Sequence, residues 1–159
     1  MDFRIGNGFD VHQLAPGFPL VLGGVKIAHT KGCVAHSYGD VLIHALCDAL
    51  LGALSLGDIG KHFPDTDDAY DGIDSTILLE RTYVMVKEKG YSLVNADLTL
   101  LLQRPKIAPY IEQMRSRLAE VLETDTENIS VKATTTEHLG YEGREEGVSA
   151  YAVVLLSSK

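Results

Sequence analysis

A chain of 159 residues, 45% hydrophobic and 23% charged, has the balance of a soluble globular protein and the length of one domain with a sizeable core. Its net charge of −8 argues against nonspecific attraction to nucleic acid or an anionic membrane, so a phosphate-bearing ligand must be held by metals, backbone amides or single cations. No stretch approaches the roughly 20 apolar residues of a membrane span, the start MDFRIGNGFD lacks the pattern of a signal peptide or transit peptide, and two cysteines make no disulfide framework. A bacterial cytoplasm is the expectation.

Phe3–His12 predicts the first strand. Ile5, Phe9 and Val11 suit its buried face, whereas Asp10 and His12, two apart, share the other. Leu20–Leu22 and Val25–Ala28 read as a small hairpin turning at Gly23-Gly24. Tyr38–Leu56 has helical periodicity, with Ser37 as N-cap, Asp40 three residues on and Gly57 as the stop. A loop dense in Gly, Asp and Pro then runs from Gly57 to Asp74. Ser75–Lys89 is the second helix, ending at Gly90, and Ala108–Leu122 the third, preceded by Pro105. Ser92–Gln103, Ile129–Thr135 and Val148–Leu156 complete the strands. This order suggests an α+β fold, a helical layer on one face of a mixed β-sheet. The sheet's other face then needs cover, and a second subunit is the simplest source.

Chemistry concentrates in a few places. Asp40, His44 and Asp48 lie at i, i+4, i+8 on one helix face. Asp10 and His12 from a strand, with His44 from a helix, would give Zn²⁺ three protein ligands and an open fourth position, with Asp40 or Asp48 orienting an imidazole. The plain alternative is a polar strand face. Cys33, His36 and Cys47 form a rival set, although Cys47 sits among Leu46, Ala49 and Leu50. Lys132-Ala133-Thr134-Thr135-Thr136-Glu137 ends a strand with three hydroxyls and a carboxylate, suited to phosphate and a hard cation or simply to a polar turn. Gln103-Arg104-Pro105-Lys106-Ile107 leads into a helix whose free amides favour an anion. The acidic loop carrying Asp58, Asp65, Asp67 and Asp68 is either solvated or a ligand-binding lid. Gly140–Gly147 reads as a turn with an ion pair. His29, His62 and His138 take no role from spacing.

Together, RIGNGFDVH, AHSYGDVLIHALCDALLGAL, GDIGKHFPDTD, Gln-Arg-Pro-Lys and VKATTTEHLGYEGREEG resemble, in order and spacing, the 2-C-methyl-D-erythritol 2,4-cyclodiphosphate synthase family of non-mevalonate isoprenoid biosynthesis. The resemblance runs from about Arg4 to the end and covers 1–159 as a single synthase domain. It implies a ferredoxin-like arrangement with sheets facing one another in a homotrimer. It also implies zinc on Asp10, His12 and His44, a second divalent metal (Mg²⁺ or Mn²⁺) on Glu137, and His36 and Thr135 as stabilisers of the transition state. Substrate contacts would come from Asp10, Val11, His12, His36 and Ser37; from Asp58, Ile59 and Gly60; and from Phe63, Pro64, Asp65, Thr66 and Asp67. Further contacts are implied at Leu102, Gln103, Arg104, Pro105, Lys106, Ile107 and Ala108, which resemble a cytidine pocket, and at Thr134, Thr135, Thr136, Glu137, Tyr141 and Arg144. Tyr38 stands where the family commonly has Asp, and Asn7 where some members have His.

The implied reaction, that of a phosphorus–oxygen lyase, cyclises 4-diphosphocytidyl-2-C-methyl-D-erythritol 2-phosphate and releases CMP. Active sites would lie between subunits, and an isoprenoid on the trimer axis is implied through Arg144 and Glu146. Neither nucleic acid nor membrane is an expected partner. Two other classes fit the residues alone: a zinc hydrolase using the same triad on water, and a trimeric binding module with a structural metal.

Overall fold

The computed structural model describes residues 1–35, 39–64 and 74–159. Among them, β1 (Phe3–Pro16) is followed by β2 (Leu20–Leu22), β3 (Val25–Ile27) and β4 (Lys31–Val34), then by α1 (Val41–Ala53), α2 (Ile59–His62) and α3 (Ser75–Glu88). After these come β5 (Tyr91–Leu101), α4 (Ile111–Val121), β6 (Ile129–Thr134), α5 (Gly140–Gly143) and β7 (Gly147–Ser158). Strands order β4-β1-β7-β5-β6 in one sheet, with β2 and β3 as the separate hairpin. The β5–β6 pair is parallel and its neighbours are antiparallel, so the sheet is mixed as expected. Its connections run β-α-α-β-α-β-β through β1, α1, α3, β5, α4, β6 and β7, not the β-α-β-β-α-β of a ferredoxin-like unit.

The two faces of β1 are the reverse of the expectation. Ile5 is 73% exposed, and Phe3, Phe9 and Val11 share that outer face with Tyr151 and Val153 of β7. Phe9 pairs across the strands with Tyr151, their rings 4.9 Å apart. The inner face of β1 carries Gly6, Gly8, Asp10 and His12 instead. A Cβ at Gly6 would overlap the carbonyl of Ala49, and one at Gly8 the carbonyl of Ala45. Ala45, Ala49 and Ala53 recur every four residues on α1, so a stripe of small side chains meets a strand face with none. The helix therefore lies directly on the strand. Its remaining sides are almost wholly apolar and buried, as befits a helix in the middle of a core.

Asp40 ties this helix to the hairpin. Its Oδ1 accepts the amides of Ile43 (3.0 Å) and Gly23 (2.9 Å), and its Oδ2 that of Gly24 (2.7 Å). Gly23 and Gly24 both have positive φ, as a two-residue hairpin turn requires. One carboxylate thus caps α1 and satisfies a turn. Burial pushes the Asp40 carboxyl upward, against the pull of those three donors.

Several boundaries differ from expectation. The first helix starts at Val41 on Asp40, not at Tyr38 on Ser37, because Gly39 is left-handed; Ser37 and Tyr38 lie outside the described residues. The same helix ends at Ala53, and the chain turns at Ser55 (φ 56) before Gly57 is reached. The segment after Gly57 is not all loop, since α2 occupies Ile59–His62, and His62 Nε2 bonds the Leu56 carbonyl at 2.8 Å. Strand β1 extends to Pro16 because β4 pairs with Gln13–Pro16. Neither segment carries an alternating apolar pattern, so this edge was not legible from periodicity. Ala108–Tyr110 forms a 3₁₀ turn ahead of α4.

Two outcomes test this packing. Gly8→Ala should lower stability by about 3 kcal/mol, since the new methyl meets helix backbone that cannot yield. Asp40→Ala should cost about 2 kcal/mol or more through the lost cap and two orphaned turn amides. Urea unfolding midpoints at constant m-value check both.

Candidate metal centre

Asp10 and His12 project from the inner face of β1 at the end of the close strand–helix contact, and His44 projects from α1 one residue before Ala45. Because Gly8 lets the helix sit on the strand, the three side chains meet. His12 Nε2 lies 2.9 Å from Asp10 Oδ2, His44 Nδ1 lies 3.3 Å from the same oxygen, and the two nitrogens are 3.1 Å apart. The rings stand edge to face at 65°. Among the described residues this is the one cluster of three or more His, Cys, Asp or Glu side chains able to hold an ion.

The donor set fits a divalent cation. Metal bonds of about 2.0–2.1 Å in a tetrahedral array separate neighbouring ligand atoms by about 3.3 Å, close to the three distances here. Asp10 Oδ2 is buried and makes no hydrogen bond, although two nitrogens crowd it. The three ligand atoms thus crowd a single point. Burial alone would raise the Asp10 carboxyl, but the two imidazoles outweigh it and hold it well below the usual carboxylate range. The carboxylate is thus ionised and ready to ligate. Three protein ligands leave a tetrahedral cation one position for a phosphoryl oxygen or water.

The expected orienting carboxylates serve elsewhere. Asp40 is the cap described above, and Asp48 accepts the Ile59 amide at 2.7 Å, steadying the start of α2. The group beside His44 is Ser75, whose Oγ lies 3.1 Å from His44 Nε2. Ser75 was legible only as a helix start. The rival thiols do not join the cluster: burial pushes Cys33 and Cys47 up to about 12, so both stay protonated core residues. His36 lies outside the described residues, as do Ser37, Asp65, Thr66 and Asp67.

The other singled-out residues fall into groups. Val11, on the other face of β1 from Asp10, borders a cleft that Phe9, His12, Gln13, Tyr141 and Glu146 also line. Asp58 caps α2 through Lys61 N, with Gly60 exposed nearby; Phe63 is buried and Pro64 exposed. The parallel pairing Leu101↔Thr134 brings 102–108 and 134–137 together at the carboxyl ends of β5 and β6, the end where parallel strands receive ligands. Gln103 Oε1 accepts the His138 amide at 3.1 Å, and Arg104 pairs with Glu145. Leu102 and Ile107 are buried, Lys106 and Ala108 exposed. Thr134 and Thr136 donate to the carbonyls of Thr135 and Leu139, while Thr135 Oγ1 accepts the Glu137 amide. Glu137 and His138 both have positive φ, a strain that gathers at functional sites. Tyr141 bonds Ser149 at 2.6 Å, and Arg144 pairs with Glu146.

Within one chain, the triad and the Thr–Glu turn do not form one site. They occupy the same end of the sheet, but β1 and β6 are three strand steps apart, roughly 14 Å. His44→Ala should abolish retention of a stoichiometric divalent cation with circular dichroism unchanged. Metal analysis of the dialysed variant checks this, and a full complement of cation would show that the ligands are misassigned.

The YgbB family profile matches residues 3–157. A Bacillus cereus 2-C-methyl-D-erythritol 2,4-cyclodiphosphate synthase is 58% identical over 157 residues, 99% of each chain. The bifunctional IspDF of Campylobacter jejuni superposes with a TM-score of 0.96 at 46% identity, over 99% of this chain and 43% of that one. The IspF of Plasmodium falciparum, in a CDP complex, gives 0.87 at 34% identity over 99% and 97%. With the converging triad, these likenesses show that the chain belongs to the YgbB family, that of the 2-C-methyl-D-erythritol 2,4-cyclodiphosphate synthases.

Proposed function

We propose that this chain closes 4-diphosphocytidyl-2-C-methyl-D-erythritol 2-phosphate into 2-C-methyl-D-erythritol 2,4-cyclodiphosphate, as a phosphorus–oxygen lyase of non-mevalonate isoprenoid biosynthesis. The observation that carries the reading is the convergence of Asp10, His12 and His44 in a member of this family. An oxygen of the 2-phosphate attacks the β-phosphorus, the bond from that phosphorus to the bridging oxygen breaks, and CMP leaves with the oxygen. Both reacting groups are anions, so catalysis is positioning and charge neutralisation rather than nucleophilic chemistry by the protein.

Asp10, His12 and His44 would hold Zn²⁺, which would supply positive charge to neutralise the phosphates. Glu137 holds a second divalent cation, Mg²⁺ or Mn²⁺. His36 and Thr135 hydrogen-bond the phosphoryl oxygens as charge moves toward the departing CMP. Asp58, Ile59 and Gly60, with Phe63–Asp67, take the methylerythritol part, and Leu102–Ala108 take the cytidine. The CDP named for the Plasmodium relative supports that last assignment. Tyr141 and Arg144 serve the phosphates.

The working unit is a homotrimer of single-domain subunits in the cytoplasm, the triad of one chain facing the Thr135–Glu137 turn of the next. The separation of the two half-sites within one chain supports this, as does the uncovered apolar face of Phe3, Ile5, Phe9 and Val11. An isoprenoid would sit on the trimer axis beside Arg144 and Glu146, a reading supported by the cleft that Glu146 lines with Phe9, Val11 and Tyr141.

Incubation of the purified protein with the diphosphocytidyl substrate, Zn²⁺ and Mg²⁺ should yield the cyclic diphosphate and CMP by ³¹P NMR and chromatography. Release of inorganic phosphate would make it a hydrolase, and no turnover with both metals present would sink the enzyme reading. Thr135→Ala should lower kcat by about 10²–10³ while zinc content is unchanged.

A further inference from the structure

His44 offers Nδ1, the ring nitrogen nearer its own backbone, to the cluster, whereas His12 offers Nε2. The far nitrogen of His44 therefore points past the site toward α3, where Ser75 Oγ lies 3.1 Å away. A neutral imidazole carries one N–H and one lone pair, and the hydrogen bond made by one nitrogen decides which the other presents. With Ser75 Oγ accepting from Nε2–H, the lone pair falls on Nδ1, toward the cluster that His44 forms with Asp10 and His12. The reverse tautomer would turn an N–H into the cluster and leave it unable to ligate through His44.

Ser75 is well held for such a part. It is 2% exposed and is the first residue of α3. Asp74 beside it accepts from both the amide and the hydroxyl of Thr76, each at 2.9 Å, and Arg117 of α4 reaches the same Thr76 hydroxyl at 3.5 Å. The helix start is thus clamped from two sides, and the Ser75 hydroxyl stands at a fixed distance from His44. On α1, meanwhile, Asp40 directs its oxygens to Gly23, Gly24 and Ile43, and Asp48 directs one to Ile59.

We infer that Ser75 is a positioning residue of the metal centre: its hydroxyl fixes the tautomer and ring plane of His44 so that Nδ1 faces the cation. The role rests on the metal-centred reading of Asp10, His12 and His44. Hydrogen-bond partners of this kind are worth about 10–100-fold in metal affinity when removed.

The full chain, stripped of metal and titrated with Zn²⁺ against a chromophoric chelator, tests it. Ser75→Ala should bind Zn²⁺ about 10–100-fold more weakly than the unsubstituted protein. In the Co²⁺-loaded variant the visible d–d bands should shift, while the thermal midpoint of the metal-free variant stays at that of the metal-free parent. Ser75→Thr, which keeps the hydroxyl, should recover the parental affinity and spectrum. Unchanged affinity and an unchanged Co²⁺ spectrum in Ser75→Ala would overturn the inference. So would a loss of affinity that follows a collapse of metal-free stability, because packing alone would then explain it. A parent protein that retains no stoichiometric cation fails the metal-centred reading itself, an outcome that this control separates from a failure at Ser75.

Discussion

The seat of α1 on β1 is the contact from which the rest of the molecule follows. Gly6 and Gly8 leave the inner face of that stretch of strand without side chains, and Ala45, Ala49 and Ala53 remove bulk from the facing stripe of helix. The backbone of the helix can then approach to where any Cβ would collide with a carbonyl. Apolar burial drives such contacts, but shape decides how near they come. Here nearness is the functional quantity. A helix held farther off by ordinary side chains would leave His44 short of Asp10 and His12, whose atoms lie within 3.3 Å of one another.

The same contact explains why the strand's apolar residues face outward. One side of β1 is committed to glycine and to ligands, so Phe3, Ile5, Phe9 and Val11 occupy the other side. Within a single chain that side lies open, continuous with Tyr151 and Val153 of β7. That exposed apolar surface is what the proposed contact between subunits rests on. The proposed subunit contact and the candidate metal pocket thus use the two faces of one strand.

Polyanion chemistry on an acidic chain poses a charge problem, and the arrangement of acids bears on it. Asp10 is held ionised beside two imidazoles, ready to share a cation that reverses the sign of the local field. Other acids are occupied structurally: Asp40 caps α1 and closes a hairpin, Asp48 steadies α2, and Glu145 pairs with Arg104. The turn over 134–139 bends its hydroxyls onto its own backbone and holds Glu137 and His138 at positive φ. Its place beside 102–108 is set by the parallel β5–β6 pair.

Much of this was legible in the sequence. Spacing alone put Asp10 and His12 on one strand face and His44 on a helix with Asp40 and Asp48, and the ordered motifs pointed to the family. The mixed sheet with helices on one face, the Gly23-Gly24 hairpin and most element positions follow from local pattern, because periodicity and turn chemistry are properties of neighbouring residues. Only the tertiary structure decided what depends on residues far apart in the chain. It turned the apolar face of β1 outward, extended that strand through pairing with Lys31–Val34, and drew Asp40 to Gly23 and Gly24 instead of to an imidazole. It also brought Ser75 to His44 across 31 positions of sequence. Sequence determines which groups are available and on which face of an element they stand; the packing of one element on another determines which of them touch.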